Sequence, residues 1–171
     1  MNVTDVGSGE FQITSDQDDV LIANNLRCAI AMMIYDPVAR VGGLLHFPLP
    51  ESKPNPDWAR QQPAAFADTG IPLFLQLAIE SGAQKERLIV QAAGGAQMLD
   101  EPGAPQIGKK NYLAMRKVLW KTGVLMKHEE IGGTAPRAVA LQLETGRMAI
   151  RDTGELTPDP LWDWEQEPIG S

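Results

Sequence analysis

Residues 29–35, AIAMMIY, are apolar without a break and stop against Asp36-Pro37. Seven residues are too few for a typical helix, and the bounding Asp-Pro pair marks a turn, so the run predicts a buried strand. A second apolar segment, VGGLLHF over 41–47, follows that turn and predicts the hairpin partner. Its two glycines mark a place where a bulge or another backbone comes close. The only cysteine, Cys28, precedes the first strand, and His46, one of two histidines, ends the second. A Cys and a His joined by a hairpin are the raw material of a thiolate–imidazole pair, in which the imidazole takes the thiol proton. Any cysteine chemistry in this chain must therefore be built within residues 19–50.

The remaining segments follow from spacing and punctuation. Residues 1–9 read as a loose polar lead-in, 9–14 as a short strand, and SDQDD (15–19) as a turn. Residues 20–23 predict a short buried strand interrupted by Asn24-Asn25. The Pro-rich stretch 48–68 predicts a long loop anchored by Trp58 and Phe66, and long loops inside a domain tend to be functional. Asp68-Thr69 predicts the N-cap of a helix over 70–81, with Pro72 in its first turn and Gly82 as its stop. Residues 87–93 predict another buried strand, 97–106 a Pro/Gly loop, and 108–121 an amphipathic helix. Three strand-forming segments follow at 124–131, 138–143 and 147–151, the last two joined by a turn at Glu144-Thr145-Gly146. Strands in blocks with two helices inserted predict an α+β fold with helices packed on layered sheets. Residues 1–152 form the expected domain. Residues 153–171, acidic and carrying Trp162 and Trp164, form the expected tail, either flexible or a strap pinned by its tryptophans.

Composition excludes several classes of function. A net charge of −7 over 171 residues leaves no basic footprint for nucleic acid and none for anionic lipid. A single cysteine forms no internal disulfide, which suits a reducing cytosol. The N-terminus has neither a basic nor an apolar leader region, and no apolar run reaches the roughly 20 residues that cross a bilayer. A cytoplasmic protein is expected. One Cys, two His and scattered carboxylates give no metal-ligand spacing, and neither glycine pair has phosphate-loop spacing, so neither metal nor cofactor is expected.

The order of YDPVARVGGLLHFPLP, GGAQM, IGKKN, GGTAPRAV and ETGRMAIR resembles the CheD family of chemoreceptor glutamine deamidases, over about residues 6–152. The resemblance implies an α/β/β-layered fold similar to toxin deamidases. It implies conversion of receptor glutamines to glutamates, and in some members hydrolysis of receptor methyl esters. The implied catalytic set is Cys, His and Thr: the thiolate attacks the amide carbonyl, His serves as base and then as acid for ammonia, and water cleaves the thioester. The implied partners are a chemoreceptor cytoplasmic domain and a CheC-type phosphatase.

Departures from the pattern cluster at the nucleophile. The family's DVLVT…GSC…YDP, laid without gaps on DVLIANNLRCAIAMMIYDP, puts its Thr on Ala23, its Ser on Cys28 and its catalytic Cys on Ala29; only His46 keeps its place. In that register Arg27 stands where the family has a Gly that would let substrate approach. GGTAPR keeps Gly132, Gly133 and Arg137 of a GGNRxR-like run. A shift of one residue on an extended chain turns a side chain to the opposite face, which predicts a non-catalytic member. The alternative is a displaced Cys28–His46 dyad carried by a bulge. Bland readings stand beside these: Cys28 as a small buried hydrophobe, His46 as a strand-end histidine bonded to backbone, and His128 as solvated surface. The glycine pairs read as turns, and the basic residues of the second helix as a solvated face.

Overall fold

The computed structural model describes residues 1–97 and 106–152. The central hairpin is formed by β4 (Ile30–Asp36) and β5 (Val41–Phe47), antiparallel, with Ile30 opposite Phe47 and Ala31 opposite His46. Every residue of both strands is buried. Burial on both faces requires a layer on each side, and the packing supplies it. Ile30, Met32 and Ile34 meet Ile71, Phe74 and Ala78 of α2 (Ala67–Glu80) and Met115 and Leu119 of α3 (Ile107–Thr122). The alternate residues, Ala31, Met33 and Tyr35, meet Leu21 and Ala23 of β3 (Asp19–Leu26) and Val139 and Leu141 of β8 (Arg137–Gln142).

The hairpin sits in a five-stranded sheet ordered β2-β5-β4-β6-β7, in which β2 is Glu10–Thr14, β6 is Ile89–Gly94 and β7 is His128–Ile131. The second sheet, ordered β1-β3-β8-β9, adds β1 (Asn2–Asp5) and β9 (Arg147–Arg151). Helices, sheet and sheet form the expected α/β/β layering. Gly42 and Gly43 keep the central layer thin. A Cβ on Gly43 would lie 2.9 Å from the Phe74 ring, and one on Gly42 would lie 2.9 Å from Leu143. The glycines let the helix layer and the second sheet both approach β5 closely.

Several local expectations are corrected. Residues 1–9 are not a loose lead-in: β1 pairs in parallel with β3, and Val6 continues the ladder by donating to the Ile22 carbonyl at 2.8 Å. β3 does not stop at Ala23 but runs through Asn24-Asn25, absorbing them in a bulge between Ala23 and Leu26, with Asn25 at φ 56°. A bulge accommodates one unpaired residue without ending the strand.

Residues 48–68 are not one loop. They contain α1 (Pro56–Gln61) and a 3₁₀ turn at Pro63–Ala65, and Phe66 is buried with its ring edge-on to Trp58 at 5.2 Å. α2 begins at Ala67 rather than Gly70, with no side-chain cap. Asp68 instead accepts the Ser52 backbone N–H at 3.0 Å and its hydroxyl at 3.0 Å. The early start leaves Pro72 inside the helix, at a cost of about 3 kcal/mol. Burial of Ile71, Phe74 and Leu75, each contributing about 1.5–3 kcal/mol, outweighs that cost. Of residues 124–131, only β7 is strand, and Lys85–Arg87 forms a 3₁₀ turn ahead of β6. Part of the predicted 97–106 loop and the whole 153–171 tail lie outside the described residues.

Candidate functional site

The site lies where β4 begins and β5 ends. His46 alternates with Leu44, which packs between the sheets, so its imidazole projects toward the second sheet. It is 7% exposed, and its Nδ1 lies 3.1 Å from the Val6 carbonyl oxygen. A carbonyl only accepts, so Nδ1 carries the hydrogen and Nε2 keeps its lone pair when the ring is neutral. Burial pushes the His46 pKa below 6.5; the Val6 bond and the charges of Asp5 and Glu10 oppose that shift without cancelling it. The imidazole is therefore neutral at pH 7 and chemically able to accept a proton at Nε2.

Cys28 is half-buried in the link 27–29 between β3 and β4. All three carbonyls of this link are held. The Gly95 N–H donates to Ala29 at 3.0 Å, the Ala96 N–H donates to Arg27 at 2.8 Å, and the Asn111 side-chain amide donates to Cys28 at 2.9 Å. The same amide nitrogen reaches the Pro48 carbonyl at 3.0 Å. Asn111 thus ties the link bearing Cys28 to the backbone just after His46.

Ile30 and Gly94 are the last pair of the β4–β6 ladder, and one residue further on the Gly95 N–H still reaches the Ala29 carbonyl. The alternation of β4, continued one residue back from Ile30, would put Ala29 on the face shared by Ala31 and His46. Residues 27–29 and Gly95-Ala96 both lie beyond the paired strands, so Cys28 sits in an irregular link rather than in a strand. Gly94 makes this close approach possible: at its φ of 122°, a Cβ would sit 2.1 Å from the Ala29 oxygen. Ala23 is fully buried, pairs with Val139 and presents a methyl to the inter-sheet core.

Sequence reasoning missed Asn111 and Val6 as contributors. Asn111 lay within the quoted IGKKN motif, which was a usable signal; Val6 acts through its backbone, and nothing in its side chain marks it. Arg137, within the GGTAPR run, bonds Gly132 at 2.8 Å and Gly94 at 3.3 Å through Nη1, sewing the two glycine turns together. His128 is exposed, bonded to Glu130 at 3.1 Å. Among the described residues no cluster of His, Cys, Asp and Glu is arranged to hold a metal ion, and no helix is long and apolar enough to cross a membrane.

Comparison with known proteins adds a second line of observation. The family model for CheD chemotactic sensory transduction matches residues 48–152, a span that begins just past His46. The probable chemoreceptor glutamine deamidase CheD of Solibacter usitatus is 43% identical over 156 residues, covering 90% of this chain and 92% of the relative. The probable chemoreceptor glutamine deamidase CheD 1 of Syntrophus aciditrophicus is 41% identical over 149 residues, covering 87% and 93%. A relative of the same description from Pyrococcus horikoshii is 34% identical over 157 residues, covering 91% and 95%.

Proposed function

The chain belongs to the CheD family of chemotaxis proteins, and from that premise we propose that it acts in chemotactic signalling by binding rather than by deamidation. The relatives' names point to a chemoreceptor as the partner, and this reading takes its cytoplasmic domain as the part bound. A CheC-type phosphatase is the second candidate, and the cytoplasm is the compartment this reading requires.

One observation carries the reading. The Gly95 N–H holds the Ala29 carbonyl one residue beyond the Ile30–Gly94 pair. Strand alternation continued that far turns Ala29 toward the His46 face, where the family pattern puts the nucleophile, and a methyl group has no proton for Nε2 to take. Ala23, where the pattern has Thr, is another methyl within the core. His46 retains the tautomer and the neutral state of a general base, but the residue it would activate is missing from its face.

A displaced dyad is the second reading, favoured by the irregular link 27–29, where Cys28 lies just ahead of the strand that pairs with β5. A bulge there would re-aim the side chain, and an error of about 1 Å in a reacting group can cost roughly a hundredfold in rate.

The two readings separate in one experiment. Receptor cytoplasmic fragments are incubated with the wild-type chain, with Cys28→Ala and with Ala29→Cys, and glutamine-to-glutamate conversion is read by mass spectrometry beside a pull-down. Binding without conversion by the wild-type chain, with conversion appearing in Ala29→Cys, is the expected result. Conversion by the wild-type chain that disappears in Cys28→Ala would overturn it in favour of the dyad.

A further inference from the structure

The outer face of α3 has a composition unlike the rest of this acidic protein. Its exposed positions carry Lys109, Lys110, Arg116, Lys117 and Lys121, and the helix contains no carboxylate. Among them stand Leu113, 55% exposed, and Trp120, 84% exposed. No carboxylate of the described residues pairs with any of the four lysines. Glu51 lies on one flank; Glu129 lies on the other, where it accepts the Tyr112 hydroxyl at 2.6 Å.

Two grooves border this face. One, of about 530 Å³, runs between α3 and residues 49–55, walled by Leu49, Pro50, Phe66 and Leu113, with Lys110 and Lys117 among its lining. The other, of about 520 Å³, lies beside Trp120 and is lined by Leu119, Val124 and Leu125. The surface is therefore largely apolar in its hollows, each of which also holds one carboxylate (Glu51 and Glu129), and cationic along the helix between them. Its complement is an acidic segment with large aromatic side chains.

The chain itself contains that segment and delivers it nearby. Residues 153–171 carry Glu155, Asp159, Asp163, Glu165 and Glu167, no Lys or Arg, and Leu161, Trp162 and Trp164. The described chain ends at Asp152, held by Arg137 Nε at 3.2 Å, and Arg137 also bonds Gly132 at 2.8 Å. Gly132 lines a small hollow together with Lys109 and Tyr112 of α3. The exit point thus lies beside the first turns of α3, a 16-residue helix about 24 Å long. At up to about 3.3 Å per residue, a segment as long as 153–171 can run the length of that helix.

We propose that residues 153–171 occupy the α3 face of their own chain, with the carboxylates against the lysine row and Trp162 and Trp164 in the bordering grooves. Burying two tryptophans supplies the apolar contact, and the opposite charges set orientation. The proposal holds whether or not Cys28 is catalytic. A partner using the same grooves would have to displace the tail.

Zero-length carbodiimide coupling of the full-length chain, followed by peptide mass spectrometry, tests this placement. Links from Lys109, Lys110, Lys117 or Lys121 to Asp159, Asp163 or Glu165 are expected in the monomer fraction. They should fall several-fold in 0.5 M salt, where the screening length is only a few Å. They should also fall in the full-length variant Lys110→Glu/Lys117→Glu/Lys121→Glu. A second full-length variant, Asp159→Asn/Asp163→Asn, leaves the folded body unaltered; in it, coupling through Glu165 should weaken and acrylamide quenching of tryptophan fluorescence should rise. Links confined to a covalent dimer, no links at all, or quenching unchanged in the tail variant would each overturn the proposal.

Discussion

The side-chain amide of Asn111, fully buried in α3, donates to the carbonyl oxygen of Cys28 at 2.9 Å. Its second bond, to Pro48 at 3.0 Å, makes one residue of the helix layer the joint between the link before β4 and the exit of β5. Two strand ends that carry side chains of possible chemistry are thereby held by a residue with no chemistry of its own.

Removing that joint has a measurable consequence. Asn111→Ala leaves two carbonyls without their donor, and the loss should be about 2–4 kcal/mol in denaturant unfolding. Alkylation of Cys28 should accelerate as the link loosens. Asn111→Asp should be worse at neutral pH, because it sets a carboxylate against two carbonyl oxygens, and part of the stability should return on acidification. Equal stability of the two variants across pH 4–8 would show that the amide's donor role is not what matters.

Asp36 should make the fold acid-sensitive. Burial pushes its pKa up, but the Arg87 guanidinium and the amides of Gln84, Ala39 and Val38 overcome that and bring it down from 3.8 to about 2. The carboxylate is fully buried, with Arg87 Nη2 at 2.8 Å. A folded pKa below the unfolded one contributes stability that is complete above pH 3.8 and is lost as pH falls toward 2. The contribution is about 2 kcal/mol, and the matching loss of unfolding free energy should be absent in Asp36→Asn, itself destabilised by about 3–5 kcal/mol at pH 7.

His46 adds a second, milder dependence. Its folded pKa lies below 6.5, so the unfolded chain binds the proton more readily, and stability falls as pH drops below that value. Above 6.5 the contribution is complete. Nitrogen-15 NMR should find a neutral ring protonated at Nδ1 at pH 7, with a titration midpoint below 6.5. A midpoint above 6.5, or an Nε2–H tautomer, would contradict the geometry at Val6.

Gly94→Ala tests the approach of β6 to the link. The added methyl would meet the Ala29 carbonyl at 2.1 Å, and the φ of 122° disfavours any side chain. A loss of at least about 3 kcal/mol is expected, from strain and displaced backbone together. Gly132→Ala, also at positive φ but with nothing within 4 Å, gives the strain without the clash and should cost markedly less.

Much of this was legible from residue order. The unbroken run 29–35 and its partner 41–47 are buried on both faces as strands of one hairpin, and helix 108–121 matches α3 to within a residue at each end. Apolar runs and helical stripes record burial directly, so they survive without knowledge of the partner. The N-terminal strand was not legible, because NVTD alternates poorly and exists only by pairing with β3. Nor was the start of α2, which is set by Phe66 entering the core rather than by a capping side chain.

At the candidate site, Cys28, His46, Ala29 and Ala23 could all be named from the chain, through the resemblance rather than through any local pattern. What tertiary structure decided was support: the irregular link 27–29 ahead of β4, and the three donors that hold its carbonyls. Those donors come from Gly95, Ala96 and Asn111, distant in sequence from residues 27–29. Residue type and short spacing determine which elements form and which face is buried, because those depend on local conformation and transfer from water. Which groups meet at a strand end depends on packing between elements distant in sequence, and only the folded chain brings them together.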